Sequence, residues 1–256
     1  MDLSQARHAF VTGGASGIGL AIAEALADRG IDVTVADVNR EALAVVTADG
    51  RLRGQLLDIR DRAGWARAKA EAETGLGPVD LLILNAGIAP DGRHLADMDP
   101  ESFDRIIAID LVGAFNGICA FGADMRTRAR GHIVTTASMS GLAVQWPGQG
   151  SYSAAKFGLV AMTEALRLEM MPHGVGVSCF CPGTTATNLM ANTAKLGGEL
   201  RDPADSLLGM PVKPGEVALK VLRGIEENRA YILTHADRRF AVEERFAAIM
   251  AGFEAS

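Results

Sequence analysis

His8 to Gly19 reads HAFVTGGASGIG. A short apolar run, His8 to Thr12, has the character of a buried strand, and Ile18 to Arg29 then carries the periodicity of a helix. Between them lies TGGASGIG, from Thr12 to Gly19. Glycines at Gly13, Gly17 and Gly19 permit a tight turn, close approach of the backbone to a diphosphate, and packing of helix on strand. The N–H groups opening the helix, around Ser16, Gly17 and Ile18, favour an anion. A glycine cluster alone says little. One set between a strand and a helix points to a dinucleotide.

Outward from this turn, apolar runs alternate with helical segments. Strands are expected at Asp32 to Ala36, Leu52 to Leu57, Val79 to Leu84, Ile133 to Ala137, Val175 to Phe180 and Tyr231 to Thr234. Helices are expected around Arg40 to Ala48, Asp61 to Thr74 and Glu216 to Glu227. Val79 to Leu84 is apolar throughout, as a strand covered on both faces should be. Such units predict an α/β fold with a parallel sheet and helices on both faces. No linker divides the 256 residues, which suit one domain.

Two longer helices stand out. Asp99 and Pro100 form a cap and first turn for a helix running to about Met125. There Phe103, Ile107, Asp110, Ala114, Ile118 and Phe121 share a stripe, so Asp110 is expected to be buried and to need a partner. The helix from Tyr152 to Met171 is apolar on more than one face, covered either by another subunit or by the chain's own loops. From Gly183 to Pro211 no period is evident, and its scattered apolar residues suggest a lid over a site. A last helix carries Phe240, Phe246, Ile249, Met250 and Phe253 on roughly one stripe, which must dock somewhere.

The net charge of −6 argues against nucleic acid as the main partner. The basic run Arg126 to Arg130 reads as a solvated helix end in preference to a phosphate contact. Cys119, Cys179 and Cys181 form no disulfide framework, and the last two alternate with apolar residues as buried strand thiols. No metal site is expected. The first residues, MDLSQARHAF, show no apolar leader, and no run reads as long enough to span a membrane. A cytoplasmic protein with no membrane partner is the expectation.

Ser151 to Gly158 reads SYSAAKFG and sets Tyr152 and Lys156 one helical turn apart, on one face. A tyrosine titrating near pH ~10 is a poor acid or base at neutrality. A neighbouring ammonium favours the phenolate and lowers that value. Alone, the pair has no more meaning than chance proximity. At the end of the second strand Asp37 can accept hydrogen bonds from ribose hydroxyls. Its charge opposes the extra phosphate of NADP, and Ser16 and Val38 bring no positive charge to offset it. Arg40 is the one cation that would.

Together these segments resemble the short-chain dehydrogenase/reductase family, from about residue 7 to about 234. TGGASGIG is similar to that family's cofactor motif, Asp58-Ile59 to its adenine-contacting pair, and Asn85-Ala86-Gly87 to its NAG motif. Ser138 lies at the catalytic serine, and Tyr152 and Lys156 at YxxxK. Pro182-Gly183, with Thr185 and Thr187 after it, resembles the segment that borders the nicotinamide carboxamide. The resemblance implies a single-domain, doubly wound Rossmann fold with seven strands. Its cofactor half would span about 7–137 and its catalytic and substrate half about 138–256, with a lid near 184–212.

What the resemblance implies chemically is hydride transfer between NAD and a secondary alcohol or ketone. Tyr152 would move the hydroxyl proton, Lys156 would hold ribose hydroxyls and tune Tyr152, and Ser138 would hold the reacting oxygen. The helix apolar on more than one face favours, for its part, a homotetramer or homodimer through helices 101–127 and 152–171. Two departures stand against the pattern. Asp110 replaces an asparagine that holds a water at a helix kink, and the Ser138–Tyr152 spacing is one residue long. The second shifts Gln145 and Trp146 at the pocket mouth and leaves Ser140 as a second serine. Met139, Leu142, Val144, Trp146, Met190, Leu207 and Met210 are the expected lining, so a hydrophobic substrate is expected. If Arg40 outweighs Asp37, an NADPH-dependent carbonyl reductase follows instead. A dinucleotide-binding regulator without turnover is the reading from a different class.

Overall fold

A computed structural model describes residues 1–187, 189–195 and 211–254. Seven parallel strands form one sheet in the order β3-β2-β1-β4-β5-β6-β7. They are β1 (His8–Thr12), β2 (Asp32–Asp37), β3 (Leu52–Leu56), β4 (Leu81–Leu84), β5 (His132–Thr136), β6 (Gly176–Cys181) and β7 (Tyr231–Leu233). Each expected strand is present, with ends displaced by a residue or two. The order reverses between β1 and β4, so connections leave in opposite directions there and open a crevice at the strands' C-terminal ends.

Alternation along β1 divides the core between the two faces. Phe10 points into one cluster and packs against Trp65 and Phe121, with ring centroids 5.9 and 5.1 Å away. Ala9 and Val11 point the other way, toward Ile22, Leu26, Val221 and Ile225. The first face is covered by α3 (Arg62–Glu73), α5 (Gly113–Thr127) and α6 (Gly150–Met170). The second is covered by α1 (Gly17–Ala27), α2 (Arg40–Val46) and α8 (Pro214–Glu226). The Trp65 indole donates to the Ile59 carbonyl at 2.8 Å, so the buried ring leaves no polar atom unsatisfied.

The helix after Asp99 departs from a uniform stripe. Asp99 caps it by accepting from the Ser102 N–H at 2.8 Å, and Pro100 opens α4 (Pro100–Ile107). A wide π turn over Ala108–Val112 then separates α4 from α5. One extra residue in that turn resets the register, so Ile106 is buried while Phe103, expected on the buried stripe, lies at the surface. From Pro100 to Thr127 the helical run spans 28 residues, long and apolar enough by composition to cross a bilayer. That corrects the sequence reading that no run is so long. Here the run is a core element, with Ile106, Phe121 and Met125 all buried.

The basic run also differs from expectation. Arg130 and Arg128 are ion-paired to buried Asp80, at 2.8 and 3.4 Å, and fasten the start of β5 to that of β4. Cys179 and Cys181 are buried on one face of β6, sulfurs 3.6 Å apart, as free thiols. No cluster of metal-ligating side chains occurs among the described residues. In the lid segment, α7 (Leu189–Lys195) is helical and Thr185 bridges to Val212. Leu196, Leu207, Leu208 and Met210 lie outside the described residues. The last element is α9 (Arg239–Glu254).

Candidate active site

The glycine turn is held from behind by β4. The Thr12 hydroxyl accepts the backbone N–H groups of Asn85 and Ala86 at 2.9 and 3.1 Å, while the Asn85 amide donates to the Thr12 carbonyl at 3.1 Å. This packing leaves no room for a Cβ at Gly13 or Gly19. Gly13 has a φ of +63°, and a Cβ there would lie 2.9 Å from Ala86 Cα. A Cβ on Gly19 would come within 2.2 Å of the Gly13 carbonyl oxygen. Ser16 stands at the N-cap of α1 without giving it a side-chain hydrogen bond, so no hydroxyl competes for that helix's first N–H groups. Such a turn fits the diphosphate of a dinucleotide. Thr12 is a site residue that the motif alone does not single out; the signal that marks it is a hydroxyl at the strand end directly before the glycines.

Asp37 ends β2 beside this turn. One carboxylate oxygen accepts from Ala15 N–H at 3.2 Å and the other from Asn39 N–H at 3.0 Å. It therefore shapes the turn while facing the crevice. Asp58 is chelated by Arg60, with Nη2 2.6 Å from one oxygen, and this hydrogen bonding holds its carboxyl below the usual range. Ile59 is buried with its side chain against Gly113 and away from Asp58's exposed edge.

Across the crevice, the loop after β4 meets α6. Tyr152 and Lys156 are both buried, and the lysine ammonium lies over the tyrosine ring, 5.4 Å from its centroid. Lys156 donates to the Thr136 carbonyl at 3.1 Å and lies 3.6 Å from Asp110 Oδ2. Asp110 sits in the π turn, where its other oxygen accepts from the Ile88 N–H at 2.7 Å. The expected partner of the buried carboxylate is thus found. Gly87 closes the group, since a Cβ there would lie 3.0 Å from Asp110 Oδ1 and 3.3 Å from Lys156 Nζ.

Ser138 follows β5 and lies within hydrogen-bonding reach of Tyr152. Its hydroxyl also accepts from Ser140 N–H at 3.1 Å, so Ser140 supports Ser138 through its backbone. The charges do not settle as the Tyr–Lys spacing suggests. Burial pushes the Tyr152 phenol above its ordinary value; Lys156 opposes that shift and Asp110 adds to it. Burial likewise raises Asp110 against the pull of Lys156. Burial works to lower Lys156, yet the charge of Asp110 and then Tyr152 outweighs it, and the ammonium stands above the usual lysine value. With protein groups alone, Tyr152 keeps its proton at neutral pH.

The far wall is the lid. Pro182 accepts from Met139 N–H at 3.0 Å, and Gly183 donates to the Thr234 hydroxyl at 3.1 Å. Thr185 folds back on the Gly183 carbonyl at 3.2 Å, and Thr187 lies 3.2 Å from where a Gly17 Cβ would be. The lid segment therefore closes on the glycine turn. Thr193 of α7, buried, accepts from Ala89 N–H at 2.8 Å and ties the lid to the loop after β4. Met139 is buried; Gln145, Trp146 and Met190 are half-buried. Val144, expected in the lining, is 57% exposed.

The family model described as short chain dehydrogenase matches residues 7–196. A C alpha-dehydrogenase of a Sphingobium species is 33% identical, over 96% of this chain and 86% of that one. A short-chain reductase protein of Streptomyces niveus, NovJ, is 34% identical over 86% of this chain and 87% of its own. Among solved structures, a short chain dehydrogenase/reductase from Burkholderia phymatum in complex with NAD superposes with a TM-score of 0.88. It is 29% identical, and the match covers 98% of this chain and 97% of that one.

Proposed function

The chain belongs to the short-chain dehydrogenase family of oxidoreductases, and from that premise we propose that it transfers hydride between NAD and a secondary alcohol or ketone. The observation that carries this reading is the convergence of Ser138, Tyr152 and Lys156 across one crevice from the glycine turn. A nicotinamide dinucleotide bound there would supply the hydride acceptor or donor. The turn from Gly13 to Gly19 would hold its diphosphate, Asp37 its adenosine ribose, and Asp58 its adenine, sharing the carboxylate with Arg60. Asn85, Ala86 and Gly87 would border the middle, with Pro182, Gly183, Thr185 and Thr187 beside the nicotinamide.

Tyr152 would carry the proton. In the direction of reduction it donates to the forming alkoxide, and burial keeps the phenol protonated and ready for that step. In oxidation it must first yield that proton, and the Lys156 charge assists while Asp110 resists. Ser138 would hold the substrate oxygen on the line to Tyr152 and stabilise developing charge. Met139, Trp146 and Met190 present mostly apolar surface and Gln145 a single amide, which favours a hydrophobic substrate.

Asp37 favours NAD because the extra phosphate of NADP would meet its carboxylate. A homo-oligomer built on helices 101–127 and 152–171 is supported by exposed Phe115 on α5 and Leu168 on α6, 44% and 75% exposed. The test is the absorbance of reduced nicotinamide with a panel of secondary alcohols, using NAD and NADP in parallel. Turnover with NAD on at least one hydrophobic alcohol is expected. Faster turnover with NADP at equal concentration would overturn the cofactor assignment.

A further inference from the structure

The loop that leaves β4 brings a second buried carboxyl to the crevice. After Asn85-Ala86-Gly87 the chain reads IAPDGRHL, Ile88 to Leu95, and three contacts fix where this loop lies. The Ile88 N–H is held by Asp110 at 2.7 Å, beside Lys156. The Ala89 N–H is held by Thr193 of the lid at 2.8 Å. Gly92 lies against Gly148, where a Cβ would come within 2.4 Å of the Gly92 carbonyl oxygen. The proton-transfer group, the lid and the loop that carries Gln145 and Trp146 therefore each touch this short segment. Asp91 stands in the middle of it.

Asp91 is only 4% exposed. Its Oδ1 accepts from the Arg93 N–H at 3.2 Å and so sets the turn of the loop. Its Oδ2 is buried and has no hydrogen-bond partner among the described residues. The Arg93 side chain reaches to Asp99 and Ser102 instead. A buried carboxyl oxygen without a donor is costly. The donor it lacks is then supplied by whatever enters the crevice.

Gln149 repeats the pattern. It follows Gly148 directly, which sets it beside the turn at Asp91 and Gly92, and its Oε1 is likewise buried without a partner among the described residues. The Gln149 carbonyl accepts the Ser153 N–H at 2.7 Å and opens α6, but its side chain caps nothing. Gln149, Tyr152 and Lys156 fall at i, i+3 and i+7, on one side of the helix. The amide thus leaves α6 one turn before the phenol, and neighbours so spaced have Cβ atoms about 5–6 Å apart. Two loops in contact each present an acceptor, one of them a carboxyl, with no donor between them.

We propose that the substrate carries a second hydrogen-bond donor, a hydroxyl or amino group within a few bonds of the carbinol, which Asp91 Oδ2 and Gln149 Oε1 accept. The inference rests on the alcohol–ketone reading of this site and narrows it. Met139, Trp146 and Met190 still receive an apolar body, so the substrate is amphipathic. Its donor end is turned toward the loop after β4, and its reacting oxygen toward Ser138 and Tyr152.

The experiment compares three secondary alcohols that share one ring and one carbinol, with NAD as acceptor and the ketone product quantified. Methylphenylcarbinol has no second donor, styrene glycol adds a hydroxyl, and phenylethanolamine adds an amino group. The glycol or the amine should exceed methylphenylcarbinol in kcat/KM by roughly ten- to a hundredfold, the worth of a hydrogen bond to a charged acceptor. A preference for the glycol assigns a hydroxyl, and one for the amine assigns an ammonium. Asp91→Ala should bring that ratio close to one. Asp91→Asn keeps an acceptor for the Arg93 N–H, and with it the loop. It should abolish a preference for the amine and reduce one for the glycol, and Gln149→Met should reduce either. Equal kcat/KM on all three probes in wild type would overturn the inference and leave the alcohol–ketone reading standing. A ratio kept in full by both Asp91 variants would overturn it too. So would variants that lose activity equally on all three probes, since the two oxygens would then hold only water and the loop. Absence of turnover on these probes and on the wider alcohol panel would remove the reading beneath it, and the inference with it.

Discussion

The Lys156 ammonium stands over the Tyr152 ring, 5.4 Å from its centroid, and spends its one described neutral hydrogen bond on the Thr136 carbonyl. It therefore acts on the phenol as a field, and that field alone is too weak to reverse the effect of burial. The resting site is set to give a proton. Taking one needs a further positive charge, or a higher pH.

Tyr152→Phe keeps the ring, and with it the packing against Ile88, Ile106 and Ala155. It removes only the group that titrates. Turnover should fall by roughly 10²–10⁴-fold, the usual worth of an acid–base group, with NAD affinity nearly intact by titration calorimetry. Near-normal turnover would place the proton transfer on another residue.

Asp37 is doubly employed, which makes its substitution more informative than a strand-end carboxylate would suggest. Losing hydrogen bonds to a charged acceptor costs about 1.5–3 kcal/mol, so Asp37→Ala should weaken NAD by roughly ten- to a hundredfold. Some of that loss would come from the Ala15 and Asn39 N–H groups it also holds. Asp37→Asn retains an acceptor for them while removing the charge. It should lose less NAD affinity and gain affinity for NADP. A ratio of NAD to NADP dissociation constants equal to wild type in both variants would deny Asp37 the selective role.

What was legible in the chain is what local rules govern. Strands buried on both faces announce themselves by composition, and the glycine turn by its place between β1 and α1. Asp110 was visible because it violated its own helix pattern. A kink there came only with the family resemblance; that it is a π turn was not legible, since a single extra residue changes no composition, and so the stripe puts Phe103 on the wrong face. The anchoring of the lid was hidden for another reason. Thr193 and Ala89 meet across more than a hundred residues of sequence, and nothing near either one announces the other. The sequence misplaces Arg128 and Arg130 for the same cause, because their partner Asp80 lies about fifty residues away, just before β4.

His132 offers a test of the core that is independent of the active site. It is fully buried on β5, Nε2 2.8 Å from the Ser178 hydroxyl, and burial drives its pKa down to about 3. The unfolded imidazole titrates near ~6.5. Above that pH neither state binds the proton, and the stability is whole. Below it the unfolded chain gains a proton the folded chain refuses, so stability falls toward pH 3 by up to about 1.4 kcal/mol per pH unit. His8, also lowered by burial, adds in the same direction. His132→Gln should be less stable than wild type at pH 7.5, yet lose less between pH 7.5 and pH 5 in urea titrations. Equal acid losses would show that the acid sensitivity arises elsewhere.

Asp110 is the residue on which the pH dependence of turnover should turn. Among the described residues its Oδ2 has no hydrogen-bond partner, and it faces the Lys156 ammonium at 3.6 Å. Burial raises its pKa, while the ammonium and the Ile88 N–H pull it down. An ammonium so near, itself held charged by this carboxylate, argues that the pair is ionised at neutral pH. In that state the carboxylate cancels part of the lysine's field and keeps the Tyr152 pKa high. Asp110→Asn removes that opposition, keeps an acceptor for Ile88, and adds a donor where Oδ2 now has none. The Tyr152 pKa should fall, moving the acidic limb of the oxidation profile to lower pH and preserving or raising turnover at neutrality. Reduction, which needs the phenol protonated, should lose its activity at high pH sooner than in wild type. Profiles superimposable on wild type in both directions would mean that Asp110 is protonated in the working enzyme and exerts no field.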